Sequence, residues 1–289
     1  MIKQFQEARI ENRQTTWHLI NIKARNEQNT EHYIETFKKI NAEDPLVLVP
    51  RERCESLKSM VFDDGLDNDG LPRWIHITLL AYTIIDPDAF YNRKKQEEVS
   101  FEWDSDIVAN KKEVELFFIP SVHILAFRRR SPITMNNILR YLESALDKVE
   151  HEGFDVEIVK ERDVLDRILT AHSIYKIEAS ISFSNPGHTK GFKAAFDNKI
   201  KETGAKRFDV IATGTKDNPL KNSDEDGLIA SIVDLSEQNG TVKATIKSTE
   251  NSKPEIIDSS KHPKVLTIRQ IVNGTCATIY NELKSLFGK

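Results

Sequence analysis

The stretch EVELFFIPSVHILAF, residues 113–127, decides the fold class of this chain. Its two apolar runs, 113–119 and 122–127, are rich in β-branched and aromatic residues, which is typical of strands. Pro120 and Ser121 separate the two runs, because proline interrupts a strand and favours a turn. The stretch therefore predicts a β-hairpin in the middle of the chain.

A helix is predicted directly after this hairpin. Pro132 and Thr134 are typical of a helix start, and Gly153 is typical of the residue that follows a helix. The apolar positions between them follow the helical period: Ile138, Leu139, Leu142, Leu146 and Val149. The unit is thus strand, strand, helix, and the alternating segment 154–159 returns the chain to a sheet.

Strands and helices are interspersed along the rest of the chain, and no glycine-rich phosphate loop follows any strand. This order predicts an α+β fold with mixed or antiparallel sheets, packed helices and two subdomains. We place the boundary after Gly153, which gives an N-terminal α+β domain over 1–153 and a C-terminal α+β domain over 154–289. The segment 92–98 is expected to be a charged loop or a frayed helix end.

The amino-acid composition limits the partners and the cellular location that we expect for this protein. The 289 residues are 39% hydrophobic and 30% charged, with a net charge of −4, so an anionic partner has to be met by a local basic patch. No window approaches 18 consecutive apolar residues, so no membrane insertion is expected. Two cysteines, Cys54 and Cys276, cannot form a disulfide framework, and a cytoplasmic location is expected.

Metal and cofactor motifs are weak. The acidic turn at 63–70 lacks the ligand spacing of a calcium loop, and the eight histidines are scattered. Asp155, Glu157 and Lys160 have the residue types of a magnesium-dependent nuclease. On a strand, however, the two carboxylates share one face and Lys160 lies on the other, which favours the polar edge of an amphipathic strand. No metal and no cofactor are therefore expected.

Basic clusters are the most informative candidates for a binding site. Three adjacent arginines follow the predicted hairpin, and eight Lys and Arg lie between His188 and Lys221 against four Asp and Glu. Arginine suits phosphate because its planar fork can contact two oxygens. The candidate phosphate contacts are Arg128, Arg129, Arg130, Lys190, Lys193, Lys206, Arg207, Lys243 and Lys247. A merely solvated basic face is the alternative.

Three segments carry a family resemblance: VELFFIPSVHILAFR at 114–128, ILTAHSIYKIEAS at 168–180 and GTKD at 214–217. They resemble an uncharacterised family of bacterial proteins of similar length and, more distantly, RexA, the exclusion protein of phage lambda. The resemblance implies a cytoplasmic antiviral-defence protein that is dimeric, has two domains and binds DNA as a sensor beside a membrane partner. The resemblance does not assign a functional role to any residue of this chain.

The sequence thus predicts a non-enzymatic protein that self-associates as a homodimer and binds DNA without sequence preference in phage exclusion. Two alternatives remain open. One is a magnesium-dependent nuclease or RNase-type effector that uses Asp155, Glu157 and Lys160. The other is a protein-interaction subunit of a defence complex, which contacts a partner protein and no nucleic acid.

Overall fold

The computed structural model describes residues 14–26, 28–49, 53–184, 191–221 and 227–288. The predicted α+β class is confirmed, since two sheets of antiparallel strands pack against helices. The strands are β1 (Thr15–Ala24), β2 (Val47–Val49), β3 (Arg53–Phe62), β4 (Ile75–Thr83), β5 (Phe90–Asn92), β6 (Glu97–Val99), β7 (Ala109–Ile119), β8 (Ile124–Arg128), β9 (Phe154–Ile158), β10 (Ser173–Ile181), β11 (Phe208–Thr213), β12 (Gly240–Lys247), β13 (Glu255–Asp258) and β14 (Val265–Ile268). The helices are α1 (Thr30–Glu43), α2 (Met135–Val149), α3 (Arg162–Leu169), α4 (Gly191–Glu202), α5 (Leu228–Asn239) and α6 (Thr275–Phe287).

The large sheet has eight strands, in the order β14-β1-β8-β7-β4-β3-β2, with β9 also paired to β1. Strand β1 is the organising strand, because β8 lies along one of its sides while β14 and β9 pair with successive parts of the other. The hairpin predicted over 113–127 is confirmed as β7 and β8, which pair antiparallel.

Helices cover both faces of the large sheet. Helices α1 and α2 pack on one face. The side chain of Asn29 caps α1 by accepting from the amide of His32, and α2 begins as the sequence predicts, because the side chain of Thr134 accepts from the amide of Asn137. Helix α6 packs on the other face, against wholly buried Trp17. Burial of one such large apolar side chain contributes roughly 1.5–3 kcal/mol.

The small sheet has four strands in the order β11-β10-β12-β13. Its buried face packs on helices α3 and α5 through a core of its own that includes Ile177, Val242 and Ile232. The opposite face is exposed along β11, where Ile211 is 71% exposed, whereas on β12 polar residues such as Lys243 alternate with buried ones.

Hydrogen bonds of the large sheet cross the predicted boundary at residue 153. Strands β9 and β14 come from the second half of the chain and pair with β1 from the first. The division into domains over 1–153 and 154–289, as independently folding units, stays a prediction. Within the described residues, no helix is long and apolar enough to cross a membrane.

For the segment 92–98, the expected charged loop is confirmed over 93–96, whereas the expectation of a helix end is wrong and the flanking residues belong to strands. Strands β5 and β6 form a separate two-stranded antiparallel hairpin, and a turn over 93–96 joins them. The charged residues Arg93, Lys94 and Lys95 occupy this turn, where they gave the sequence its loop-like composition.

Candidate functional site

The arginine triplet lies at one end of the large sheet, where β8 ends beside the start of β1. Arg128 is opposite Trp17 in the register of the two strands, and its guanidinium lies over the indole ring, 4.8 Å from the centroid. The amide of Arg129 donates to the carbonyl oxygen of Thr16 at 2.9 Å, so pairing with β1 continues past the end of β8. The backbone of the triplet is therefore held by the sheet.

The side chains of Arg128 and Arg129 belong to opposite faces of the sheet. Arg128 contacts Trp17, whereas Arg129 acts on His18, the next residue along β1. Neighbouring side chains of a strand point to opposite faces. Burial lowers the pKa of His18, and the positive charge of Arg129 lowers it further. The triplet thus surrounds the end of the sheet instead of forming a patch on one face.

A fourth arginine, Arg269, lies at the same end. Strand β14 ends at Ile268, which is opposite Thr15 of β1, and exposed Arg269 follows directly. Strands β8 and β14 flank β1 and are therefore about 10 Å apart, and Arg130 and Arg269 follow the ends of these two strands. We call Arg128, Arg129, Arg130 and Arg269 the arginine end.

In the described part of the chain, no carboxylate lies within the 4.0 Å ion-pair distance of any of these four guanidiniums. The acids near them by register have other partners. Glu115 of β7 lies 3.5 Å from His76, and Glu161 accepts a hydrogen bond from the amide of Val265 at 2.6 Å. None of the four guanidiniums is thus paired with a carboxylate in the described residues.

Of the next three sequence candidates, two have carboxylate partners and one is not described. Lys190 lies outside the described residues. The ammonium of Lys193 is 3.7 Å from the carboxylate of Asp234, and Arg207 donates to the carboxylate of Glu157. A nearby carboxylate competes with phosphate for the same hydrogen-bond donors.

The last three candidates lie away from the arginine end. Lys206 is exposed and lines a cleft of about 400 Å³ that also contains acidic side chains. Lys243 and Lys247 lie on β12 of the small sheet, and the register places Lys243 between Glu178 and Asp258. The sequence-predicted basic residues are thus divided between the two sheets.

Asp155, Glu157 and Lys160 come together, but not as the sequence predicts. The expectation that Lys160 faces away from the carboxylates is wrong, since its ammonium lies 3.8 Å from a carboxylate oxygen of Glu157. Strand β9 ends at Ile158, so the strand alternation no longer applies at Lys160. The favoured interpretation, the polar edge of an amphipathic strand, is also wrong, because all three residues are buried.

This cluster is a network of ion pairs at the seam between the two sheets. Arg25 donates to Asp155 at 3.0 Å, and Arg207 donates to Glu157. Lys23 lies opposite Asp155 on β1, and burial lowers its pKa to about 8 although Glu157 and Asp155 oppose the shift. Among the described residues, no three His, Cys, Asp or Glu are arranged to hold a metal ion.

Comparison with known proteins gives a family. A search of curated proteins finds no match. A family model described as "Domain of unknown function (DUF4747)" matches residues 13–285, which is nearly the whole chain. The match spans both sheets, the seam and the arginine end, and it does not bear on the resemblance to RexA. The chain belongs to the DUF4747 family.

Proposed function

We propose that this protein binds the phosphate backbone of DNA at the arginine end, without sequence preference. The observation that supports the proposal is the position of four arginines at the ends of β8 and β14, the two strands that flank the start of β1, with no described carboxylate at ion-pair distance. Guanidinium groups contact phosphate through two parallel hydrogen bonds, and such contacts carry no sequence information.

The start of helix α2 supports the same assignment. The helix begins at Met135, five residues after Arg130, so its positive end is close to the triplet along the chain. The partial positive charge of a helix N-terminus attracts phosphate and adds to the field of nearby cations. The local field at this end is thus positive although the whole chain carries a net charge of −4.

A role in antiviral defence is part of the proposal and depends on the sequence resemblance to RexA alone. If the protein acts in phage exclusion, cells that express it should lower the plating efficiency of an infecting phage, and cells that express an arginine-end variant should not. Equal plating on the two strains would contradict the role in defence while leaving DNA binding to be measured directly.

The direct test is binding to short duplexes of unrelated sequence. The variant Arg129→Gln/Arg130→Gln/Arg269→Gln keeps Arg128 and its contact with Trp17. A hydrogen bond to a charged group contributes roughly 1.5–3 kcal/mol, so this variant should bind at least about tenfold more weakly at low salt. The matched control is Arg167→Gln, since Arg167 is a surface arginine already 3.1 Å from Glu255. Equal loss in both variants would contradict the proposal.

The nuclease alternative has less support from the geometry. Asp155 and Glu157 each accept from an arginine, and their charge is already balanced by Arg25 and Arg207. Incubation of plasmid or RNA with the protein and Mg²⁺ separates the two functions. Cleavage that Glu157→Ala abolishes would favour the nuclease, whereas binding without cleavage is the result that we expect.

A further inference from the structure

We call residues 84–108 the arm. It connects β4 to β7 and contains the β5–β6 hairpin, which is a sheet of its own. Two aromatic side chains brace it internally, because the rings of Phe90 and Phe101 meet edge to face at 5.1 Å. A two-stranded hairpin by itself is only marginally stable in water.

The arm exposes an unusual number of large apolar side chains. Six of them are between 39% and 61% exposed: Ile84, Phe90, Tyr91, Phe101, Trp103 and Ile107. Single exposed apolar residues are normal, but a group of this size on one short segment is typical of a protein interaction surface. Tyrosine and tryptophan are also the residues that most often dominate binding energy at interfaces.

The arm is acidic as well as aromatic. It contains seven Asp and Glu against three Lys and Arg. Aromatic ring faces and carboxylates both attract guanidinium groups, the first by cation–π contact and the second by ion pairing. The surface that complements the arm is therefore one that presents exposed, unneutralised arginines. The arginine end has this chemistry.

The base of the arm lies away from Arg128 along the same sheet. Strand β7 starts at Ala109, at the base of the arm, and Arg128 lies beside Glu115 by the register of β7 and β8. Six residues of strand span about 20 Å. In the described residues, no ion pair or ring contact joins the two surfaces. Within one chain the two surfaces are therefore left without each other as partners, and a second copy can supply the contact.

We propose that the arm of one copy of this chain docks on the arginine end of a second copy, and that the exchange is reciprocal. Two identical contacts related by a two-fold axis close the assembly as a dimer. The exposed aromatic side chains of the arm are then covered, and the arginines gain the carboxylate partners that they lack within one chain. The proposed dimer contact uses the same arginines as the proposed DNA surface but does not require DNA. Duplex DNA and the second copy therefore compete for the same groups.

Charge reversal on each surface tests the contact. The arm variant is Glu98→Lys/Glu102→Lys/Asp106→Lys, which changes exposed carboxylates that form no described ion pair. The end variant is Arg129→Glu/Arg130→Glu/Arg269→Glu. Sedimentation at low salt should give a dimer for the wild type and monomers for each variant alone. A mixture of the two variants should form a heterodimer, because each reversed surface then meets an opposite charge.

The mixing step also controls for folding, since only folded variants can restore the contact. A monomeric wild type, a dimeric single variant, or a mixture that stays monomeric would overturn the inference. The DNA proposal is tested separately with the arm variant. This variant keeps all four arginines and should bind duplex DNA at least as tightly as the wild type. Loss of DNA binding in the Gln variant together with an unchanged dimer would retain the DNA proposal and exclude this interface.

Discussion

The ammonium group of Lys23 donates a hydrogen bond to the carbonyl oxygen of Phe183 at 3.0 Å, and so joins the large sheet to the small one. Lys23 is wholly buried and also donates to the hydroxyl of Ser182. Near it, the side-chain amide of Asn21 donates to the carbonyl oxygen of Gln238 at 3.1 Å. The seam between the sheets is thus polar and buried, which makes its stability sensitive to protonation.

Stability should rise with pH through the range in which the seam lysines lose their protons. Burial lowers the pKa of Lys23 and of Lys160 from 10.5 to about 8, in each case against the attraction of Glu157. Between about pH 8 and 10.5 the unfolded chain binds more protons than the folded one, so the unfolding free energy increases with pH. The contribution reaches up to about 3 kcal/mol for each lysine.

The variant Lys23→Met tests this dependence. Its unfolding free energy, measured by urea titration at several pH values, should rise less between pH 8 and 10 than that of the wild type. Lys38→Met is the control, because Lys38 is exposed and pairs with Glu35 on the surface of α1. Curves of equal slope for wild type and Lys23→Met would show that the ammonium of Lys23 is not buried as described.

We expect Glu157 to be more important for the stability of the fold than for a catalytic reaction. Its carboxylate accepts from Arg207 and balances the buried ammonium of Lys160. Glu157→Gln leaves Lys160 without a carboxylate partner, so we expect the unfolding free energy to fall by about 1–3 kcal/mol. Glu202→Gln, which removes an exposed partner of Lys199, should change it by less than about 0.5 kcal/mol. Thermal denaturation compares the two variants, and equal effects would contradict the assignment.

Asp197 should hold the start of the loop that follows β10. This buried carboxylate accepts from the amide and from the hydroxyl of Ser184, both at 2.7 Å. Asp197→Ala leaves two buried donors unsatisfied, which costs about 1–3 kcal/mol each, and the total loss should clearly exceed that of Asp209→Ala on exposed β11. Urea midpoints measure the difference. A loss no larger than that of the control would contradict these hydrogen bonds.

The elements that the sequence predicts well are those with undisturbed periodicity. Strands β7 and β8 have long apolar runs with a clear break, and helix α2 has an apolar stripe with a capping threonine. Strand β3 has no such signal. A β-bulge shifts its register between Leu57 and Ser59, so the period of two that identifies a half-buried strand is interrupted. Its pairing with β4 gives it its conformation.

The site is predicted less completely than the fold, because it depends on register between distant segments. The triplet at 128–130 is visible in the sequence as three adjacent charges. Arg269 has no basic neighbour and follows a segment, 265–268, that is compatible with either a strand or a helix entry. Only the pairing of β14 with β1 places it beside the triplet. The carboxylate partners of Lys193 and Arg207 are likewise invisible without the fold.

The salt dependence of DNA affinity tests the central claim most directly, because it counts the phosphates that the arginines neutralise. The logarithm of the binding constant falls with the logarithm of salt concentration with a slope of about −0.9 for each phosphate contact. The slope for Arg129→Gln/Arg130→Gln/Arg269→Gln should therefore be shallower than that of the wild type by about 2.7, and the slope for Arg167→Gln should match the wild type. Equal slopes for wild type and triple variant, or no DNA binding by the wild type at low salt, would contradict the account.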